Sequence, residues 1–170
     1  MVRELLRTRD GSVRFVYRQF PLDGLEATAN TNQGMCADAR AHGTPTPAIA
    51  VTESADVHAG AGRTAIAAYC ARTQGRFWEY HHLLCSRPDA AVTCDALVGL
   101  AREVGIDDRR FVECLDDPAA QAAVQKDFEA GVRAGLYGTP TFFINGGELV
   151  APSKEVLERT ITRALEKSHP

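Results

Sequence analysis

Five cysteines are the residues of this sequence best suited to covalent chemistry, because a thiolate is both a nucleophile and a metal ligand. They are Cys36, Cys70, Cys85, Cys94 and Cys114. No two of them form a Cys-x-x-Cys, which argues against a zinc ribbon and against a self-contained redox dithiol. Most are predicted to be small buried hydrophobic residues, and the odd count leaves at least one thiol unpaired in any intramolecular scheme.

A second chemical feature is the stretch YGTPTFFINGGELV, residues 137–150. Its Gly-Thr-Pro forms a tight turn ahead of an apolar strand predicted over 141–145. The Asn-Gly pair that follows predicts a two-residue hairpin turn and a second strand over 147–151. Taken alone, the turn is no more than a tight connection into a strand, and what it faces decides its function.

Histidine gives little support for a metal site. His81 and His82 are adjacent on a predicted helix and point in different directions, so they do not form a metal-binding pair. The others, His42, His58 and His169, fall in a loop, at a loop–helix boundary and in the tail. No spacing of the H-E-x-x-H kind is present. The sequence predicts no metal and no cofactor.

Helical periodicity dominates from about residue 60 to 135. The predicted helices are 61–74, 76–87, 93–105 with Thr93 as N-cap, a short helix capped by Asp107, and one that begins at Pro118. A last helix is predicted to begin at Ser153 and to end at about Lys167.

The N-terminal part is less regular. Residues 2–9 have helical spacing, and residues 13–18 alternate, so that Phe15 and Tyr17 share an apolar face and predict a strand. Residues 24–57 are rich in Ala, Thr, Gly and Asn without a sustained period, which predicts a long loop or insertion. A hairpin alone cannot hold several helices around a core, so the first strand is expected to join it in one sheet.

Four stretches, in this order, resemble the DsbA-type thioredoxin family of thiol–disulfide oxidoreductases. They are VRFVYRQFPL, AAYCARTQGRFWEYHHLL, LAREVGIDDRRFVECLDD and VRAGLYGTPTFFINGGELV. The resemblance implies an α/β thioredoxin-like fold with an inserted α-helical domain. Residues 1–23 and 137–170 would then form the thioredoxin-like subdomain, 58–136 the inserted helical subdomain, and 24–57 a low-complexity insertion or loop.

The same resemblance implies a cis peptide bond before Pro140. Gly138, Thr139 and Pro140 would guide the backbone of a cysteine-containing polypeptide substrate. By this alignment the family's Cys-x-x-Cys would precede Met1. The first central strand and the start of the first helix are therefore expected to be missing, no catalytic residue is assigned, and the chain is expected to be inactive in dithiol exchange. The gap left in the sheet would favour a homo-oligomer that borrows a strand.

The resemblance also bears on the cysteines. Cys70 and Cys114 fall where many family members carry cysteines on the helical domain, and they form either a structural disulfide or two thiols. Cys85 and Cys94 flank a short stretch that a surface disulfide could close. Cys36, in the insertion, is expected to be exposed and the thiol most open to oxidation.

Composition and charge limit the classes of partner and the cellular location that we expect for this chain. The net charge of −3 gives no reason to expect nucleic acid. No apolar run approaches the ~18 residues that span a bilayer. The charged N-terminus is not a secretory signal, so as written the chain is expected to stay in the cytoplasm, although the family is often extracytoplasmic.

Two other functions stay open. One is a non-redox peptide-binding or assembly module of the same fold, which would use the turn and the exposed strands. The other is a relative of the kappa-class glutathione transferases and chromene-carboxylate isomerases. The stretch GGELVAPSKEVLERTI lacks the Trp-Gly motif that follows the hairpin in those enzymes, which disfavours this second interpretation.

Overall fold

The structure is a computed structural model that describes residues 11–22, 36, 60–87 and 93–168. Contacts between Cα atoms divide the chain into two compact units, Met1–Arg18 with Ala130–Pro170, and Gln19–Glu129. The described residues form six helices and two strands. They are α1 Ala61–Thr73, α2 Phe77–Ser86, α3 Cys94–Glu103, α4 Asp108–Leu115, α5 Pro118–Arg133, β1 Thr141–Ile144, β2 Gly147–Val150 and α6 Lys154–Ser168. The chain is therefore mixed α/β, as predicted.

Local sequence determines where the helices begin, and the predicted caps are confirmed. The Thr93 side chain accepts a hydrogen bond from the backbone N–H of Ala96 at 3.3 Å. The Asp107 carboxylate accepts one from the N–H of Arg110 at 2.8 Å. Pro118 opens α5, where its missing N–H costs no hydrogen bond. These interactions lie within four residues, so the sequence alone could predict them.

The Gln19–Glu129 unit has one apolar core. The Ala-rich α1 contacts both α2 and α4, and its small side chains allow a close approach. Tyr80 is fully buried at the centre. Its hydroxyl donates to the carbonyl oxygen of Leu97 at 3.0 Å, and its ring centroid lies 5.4 Å from that of Phe111. Burial raises the pKa of the Tyr80 phenol well above its ordinary value, so the group stays a neutral donor.

The sheet in the described residues is a two-stranded β-hairpin made of β1 and β2. Its register pairs Ile144 with Gly147 across the two-residue turn. Asn145 has a φ of 48° and Gly146 a φ of 88°. Positive φ at both central residues is what a type I′ turn requires, and Asn-Gly adopts it at low cost. The predicted hairpin is confirmed, with each strand one residue shorter at its C-terminal end. The following helix α6 contacts β1 and buries Leu157 in its first turn.

The strand predicted over 13–18 is wrong. Residues 11–22 contain neither helix nor strand, and among the described strands β1 pairs with β2 alone. Phe15 is half-buried, but Tyr17, predicted on the same face, is 39% exposed. Alternation makes a strand only where a neighbouring backbone supplies the hydrogen-bonded ladder, and no described strand does so here.

The next few residues pack onto α5 instead. The backbone N–H of Gln19 donates to the Asp127 carboxylate at 3.2 Å, and the ring of Phe20 stacks on that of Phe128 at 4.9 Å. The helix predicted over 2–9 and the insertion predicted over 24–57, apart from Cys36, lie outside the described residues.

Candidate functional site

All five cysteines lie among the described residues, so their pairing is complete. Cys70 and Cys114 form a disulfide that joins α1 to α4, with 5.8 Å between their Cα atoms. Of the two alternatives that the sequence left open for this pair, the structure has the disulfide. Cys36 and Cys94 form a second disulfide, with 5.6 Å between their Cα atoms. Cys85 has a free, exposed thiol.

Two predictions about the cysteines are wrong. Cys36 is 2% exposed rather than open to solvent, and its backbone N–H donates to the Asp116 carboxylate at 3.1 Å. Cys94 bonds to Cys36 and not to Cys85. The polar, aperiodic neighbours of Cys36 predicted a surface position. The partner that buries it lies 58 residues away, and no local pattern signals that pairing.

The Cys85 thiol is a poor nucleophile in this environment. Its sulfur lies 3.5 Å from Nδ1 of His81, one turn earlier on α2. Although Cys85 as a residue is exposed, partial desolvation of its sulfur raises the pKa of the thiol. Burial also lowers the pKa of His81, and the neighbouring charge of His82 adds to that effect. At neutral pH both groups are therefore uncharged, and little thiolate is present. No cluster of three or more metal-ligating side chains occurs in the described part of the chain.

The Gly-Thr-Pro turn lies directly before β1. The Thr139–Pro140 peptide bond is cis. Both Thr139 and Pro140 are exposed, while Gly138 is half-buried. The hydroxyl of Thr141 donates to the carbonyl oxygen of Gly138 at 2.7 Å and closes the turn. Thr139 and Pro140 are therefore exposed on a turn that this hydrogen bond closes.

One edge of β1, called the open edge below, has no partner among the strands that the structure describes. The backbone N–H of Ala151 donates to the carbonyl of Pro140 at 2.7 Å, which extends the hairpin ladder into the turn. In an antiparallel ladder, hydrogen-bonded residue pairs alternate with pairs that are not hydrogen-bonded. The two-residue turn makes Ile144 and Gly147 a hydrogen-bonded pair, which agrees with the bonded pair Pro140 and Ala151 at the other end. The N–H and C=O groups of Thr141 and Phe143 therefore point away from β2. No other described strand pairs with this edge.

The hairpin also exposes apolar side chains beside that edge. Phe143 is 50% exposed and Val150 37% exposed, on the face opposite the half-buried Phe142 and Leu149. Tyr137, just before the turn, is 79% exposed. Open backbone groups next to apolar side chains suit an extended polypeptide that adds a strand. The sequence located the turn but did not single out Phe143, although strand alternation could have done so.

The family model for the DSBA-like thioredoxin domain matches residues 1–162. The chain belongs to this family. The match spans nearly all of the chain, and the DSBA-like domain therefore has a thioredoxin-type fold, as the sequence resemblance implied. No solved structure matches the domain closely enough to compare.

Curated relatives of the domain are much longer proteins. A protein named Na(+)/H(+) antiporter NhaA from Herminiimonas arsenicoxydans is 36% identical over 102 residues, which are 60% of this chain and 16% of that protein. Na(+)/H(+) antiporter NhaA 3 from Salinispora tropica is 40% identical over 91 residues, 54% of this chain and 14% of that protein. Na(+)/H(+) antiporter NhaA 1 from Salinispora arenicola is 38% identical over 91 residues, again 14% of its length. No helix in the described ranges has the length and apolar character to cross a bilayer.

Proposed function

We propose that this domain binds an extended, cysteine-containing polypeptide along the Gly138–Pro140 turn and the open edge of β1. In this role it is the substrate-binding part of a thiol–disulfide exchange site. The observation that carries the proposal is the open edge itself, continuous with an exposed turn. The family match supports the same class of substrate.

Backbone hydrogen bonds would supply much of the affinity. An added strand would bond to the outward N–H and C=O groups of Thr141 and Phe143, and each bond contributes about 0.5–1.5 kcal/mol net. The exposed side chains of Phe143 and Val150 would add apolar contact. Recognition through backbone groups tolerates many side chains, which suits an exchange partner that is a class of polypeptides rather than one sequence.

The reactive dithiol is a separate question. The 170 residues contain no Cys-x-x-Cys. A dithiol of that type, acting on a polypeptide bound at the turn, would belong to another part of the protein or to a second protein. For this chain alone we expect polypeptide binding without dithiol turnover of the Cys-x-x-Cys kind. The antiporter activity in the names of the relatives is not carried over, because the matched residues are only 14–16% of their length.

The test compares two substitutions at one position. Phe143→Pro removes an outward N–H of β1 without breaking the ladder to β2, whereas Phe143→Ala removes only the side chain. A fluorescent extended peptide, with serine in place of cysteine so that no disulfide can form, is titrated and followed by anisotropy. We expect Phe143→Pro to weaken binding about fivefold to tenfold more than Phe143→Ala does.

Equal affinities for the two variants, with unchanged circular dichroism, would contradict binding at the β1 edge. The same edge favours a second candidate function, which is assembly with another copy by pairing of two β1 edges. An isologous pair of this kind forms a dimer. Light scattering over a wide concentration range separates the two: a dimer that Phe143→Pro dissociates supports assembly, and a monomer throughout supports the polypeptide partner.

A further inference from the structure

The two disulfides differ in which end of a helix their cysteines occupy. Cys94 is the first residue of α3, directly after the N-cap Thr93. Cys70 lies in the last turn of α1, and Cys114 lies in the last turn of α4. One disulfide therefore has a sulfur at a helix N-terminus, and the other has both of its cysteines at helix C-termini.

This difference affects how easily each bond is reduced. Free backbone N–H groups and the positive end of the helix dipole stabilise a thiolate at a helix N-terminus. The carbonyl groups at a helix C-terminus disfavour one. Stabilising the reduced form makes a disulfide more oxidising. The helix positions thus favour reduction of Cys36–Cys94 and oppose reduction of Cys70–Cys114.

Burial and charge give the first pair an asymmetry as well. Cys94 is half-buried, so an external thiol has its better access at that sulfur. Cys36 is 2% exposed, and its N–H bonds to the Asp116 carboxylate. A negative charge at that position disfavours a second anion on Cys36. In the reduced pair the thiolate is therefore expected on Cys94 and the neutral thiol on Cys36.

The second disulfide lies inside packed structure. Cys70 is 0% exposed, and the helices it connects, α1 and α4, already contact each other through the apolar core. Cys114 is half-buried, as Cys94 is, so the two bonds differ in helix position and in the packing of the helices they join rather than in exposure. Reduction of Cys70–Cys114 would leave its thiolates at two helix C-termini, and we therefore assign this bond as a structural cross-link.

We propose that Cys36–Cys94 is a redox-active disulfide that exchanges with external dithiols, while Cys70–Cys114 stays oxidised. In the first step a thiolate of the dithiol attacks the Cys94 sulfur, a mixed disulfide forms, and Cys36 leaves and takes up a proton. In the second step the remaining thiolate of the dithiol attacks the dithiol sulfur that is bonded to Cys94. The external disulfide forms, and Cys94 leaves as a thiolate. The protein gains two electrons, and the external dithiol becomes a disulfide. This inference does not depend on the Gly138–Pro140 turn.

The test titrates the folded, oxidised 170-residue chain with increasing ratios of reduced to oxidised dithiothreitol. Samples are quenched with acid, alkylated and analysed by peptide mass spectrometry, which counts each cysteine separately. We expect Cys36 and Cys94 to become labelled at a ratio at least about tenfold lower than Cys70 and Cys114, with helical circular dichroism unchanged. Labelling of all four at one ratio, or of Cys70 and Cys114 first, would overturn the proposal.

A second measurement tests the helix position of Cys94 directly and keeps Cys70–Cys114 intact. In the double variant Cys36→Ser, Cys85→Ser, the rate of alkylation by iodoacetamide is followed against pH. A midpoint clearly below the ordinary thiol value of about 8.5 supports the proposal. A midpoint at or above that value contradicts it. Neither outcome depends on whether the β1 edge binds a polypeptide.

Discussion

The backbone N–H of Ala151 donates a hydrogen bond to the carbonyl oxygen of Pro140 at 2.7 Å. Because this bond continues the β1–β2 ladder, it determines which backbone groups of β1 point outward. Ala151 itself has a φ of 42°, a left-handed conformation that few residues other than glycine adopt. The exposed turn is thus an extension of the hairpin, and a change that distorts the hairpin is expected to weaken binding at the turn.

Gly146→Ala tests the hairpin turn. Gly146 has a φ of 88°, where an L side chain is strained, and we expect the substitution to lower the free energy of unfolding by about 1 kcal/mol. Peptide affinity at the β1 edge is expected to fall as well. Urea unfolding and the anisotropy titration measure the two effects.

Gly99→Ala is the matched control for that substitution. Gly99 lies inside α3, and an added Cβ would meet no atom within 4 Å. Alanine has the higher helix propensity, so we expect a stabilisation of about 0.5–1 kcal/mol and no change in peptide affinity. The same chemical change thus has opposite signs at the two sites. A loss of stability at Gly99 would show that α3 is packed more tightly there than the structure indicates.

Tyr80→Phe removes one buried hydrogen bond and leaves the ring in place. The bond from the Tyr80 hydroxyl to the Leu97 carbonyl joins α2 to α3, and its loss is expected to lower the free energy of unfolding by about 1 kcal/mol. Tyr69→Phe is the control, because Tyr69 is only half-buried and contacts Arg72 through its ring. Equal losses for the two variants in urea unfolding would contradict the importance of the buried bond.

The pH dependence of stability at alkaline pH is a second test of the buried Tyr80 phenol. Burial raises the pKa of Tyr80 in the folded chain. The unfolded chain releases this proton near the ordinary value of about 10, so above that pH the unfolded state binds fewer protons than the folded state. Stability contributed by Tyr80 is therefore full below pH 10 and falls as the pH rises further. Unfolding measured from pH 8 upward should decline more steeply for the wild type than for Tyr80→Phe; parallel curves would refute this.

Thiol counting tests the cysteine pairing. The oxidised chain is expected to react with one equivalent of a thiol reagent, even in denaturant, because Cys85 alone is unpaired. Cys85→Ser should react with none. Since burial raises the Cys85 pKa, the midpoint of its reaction rate in the folded protein should lie above the ordinary thiol value of about 8.5. Three reactive thiols in the untreated chain would mean that one disulfide does not form.

Short-range features could be predicted well because their causes are local. The caps Thr93 and Asp107 bond to N–H groups three residues ahead, and the Asn-Gly turn needs only the conformations of its own two residues. The strand at 13–18 failed for the complementary reason. Its alternation describes a preference, while a strand also needs a neighbouring backbone with which to pair.

The sequence by itself determined the family, the helix starts, the hairpin and the position of the turn. The family follows from four short motifs in order, and the other features depend on residues close together along the chain. Tertiary structure alone decided that Cys36 pairs with Cys94 across 58 residues and that Cys85 stays free. It also decided the hairpin register, which points the N–H and C=O groups of Thr141 and Phe143 away from β2. Pairing depends on which distant segments the core brings together, and residue spacing does not encode that choice.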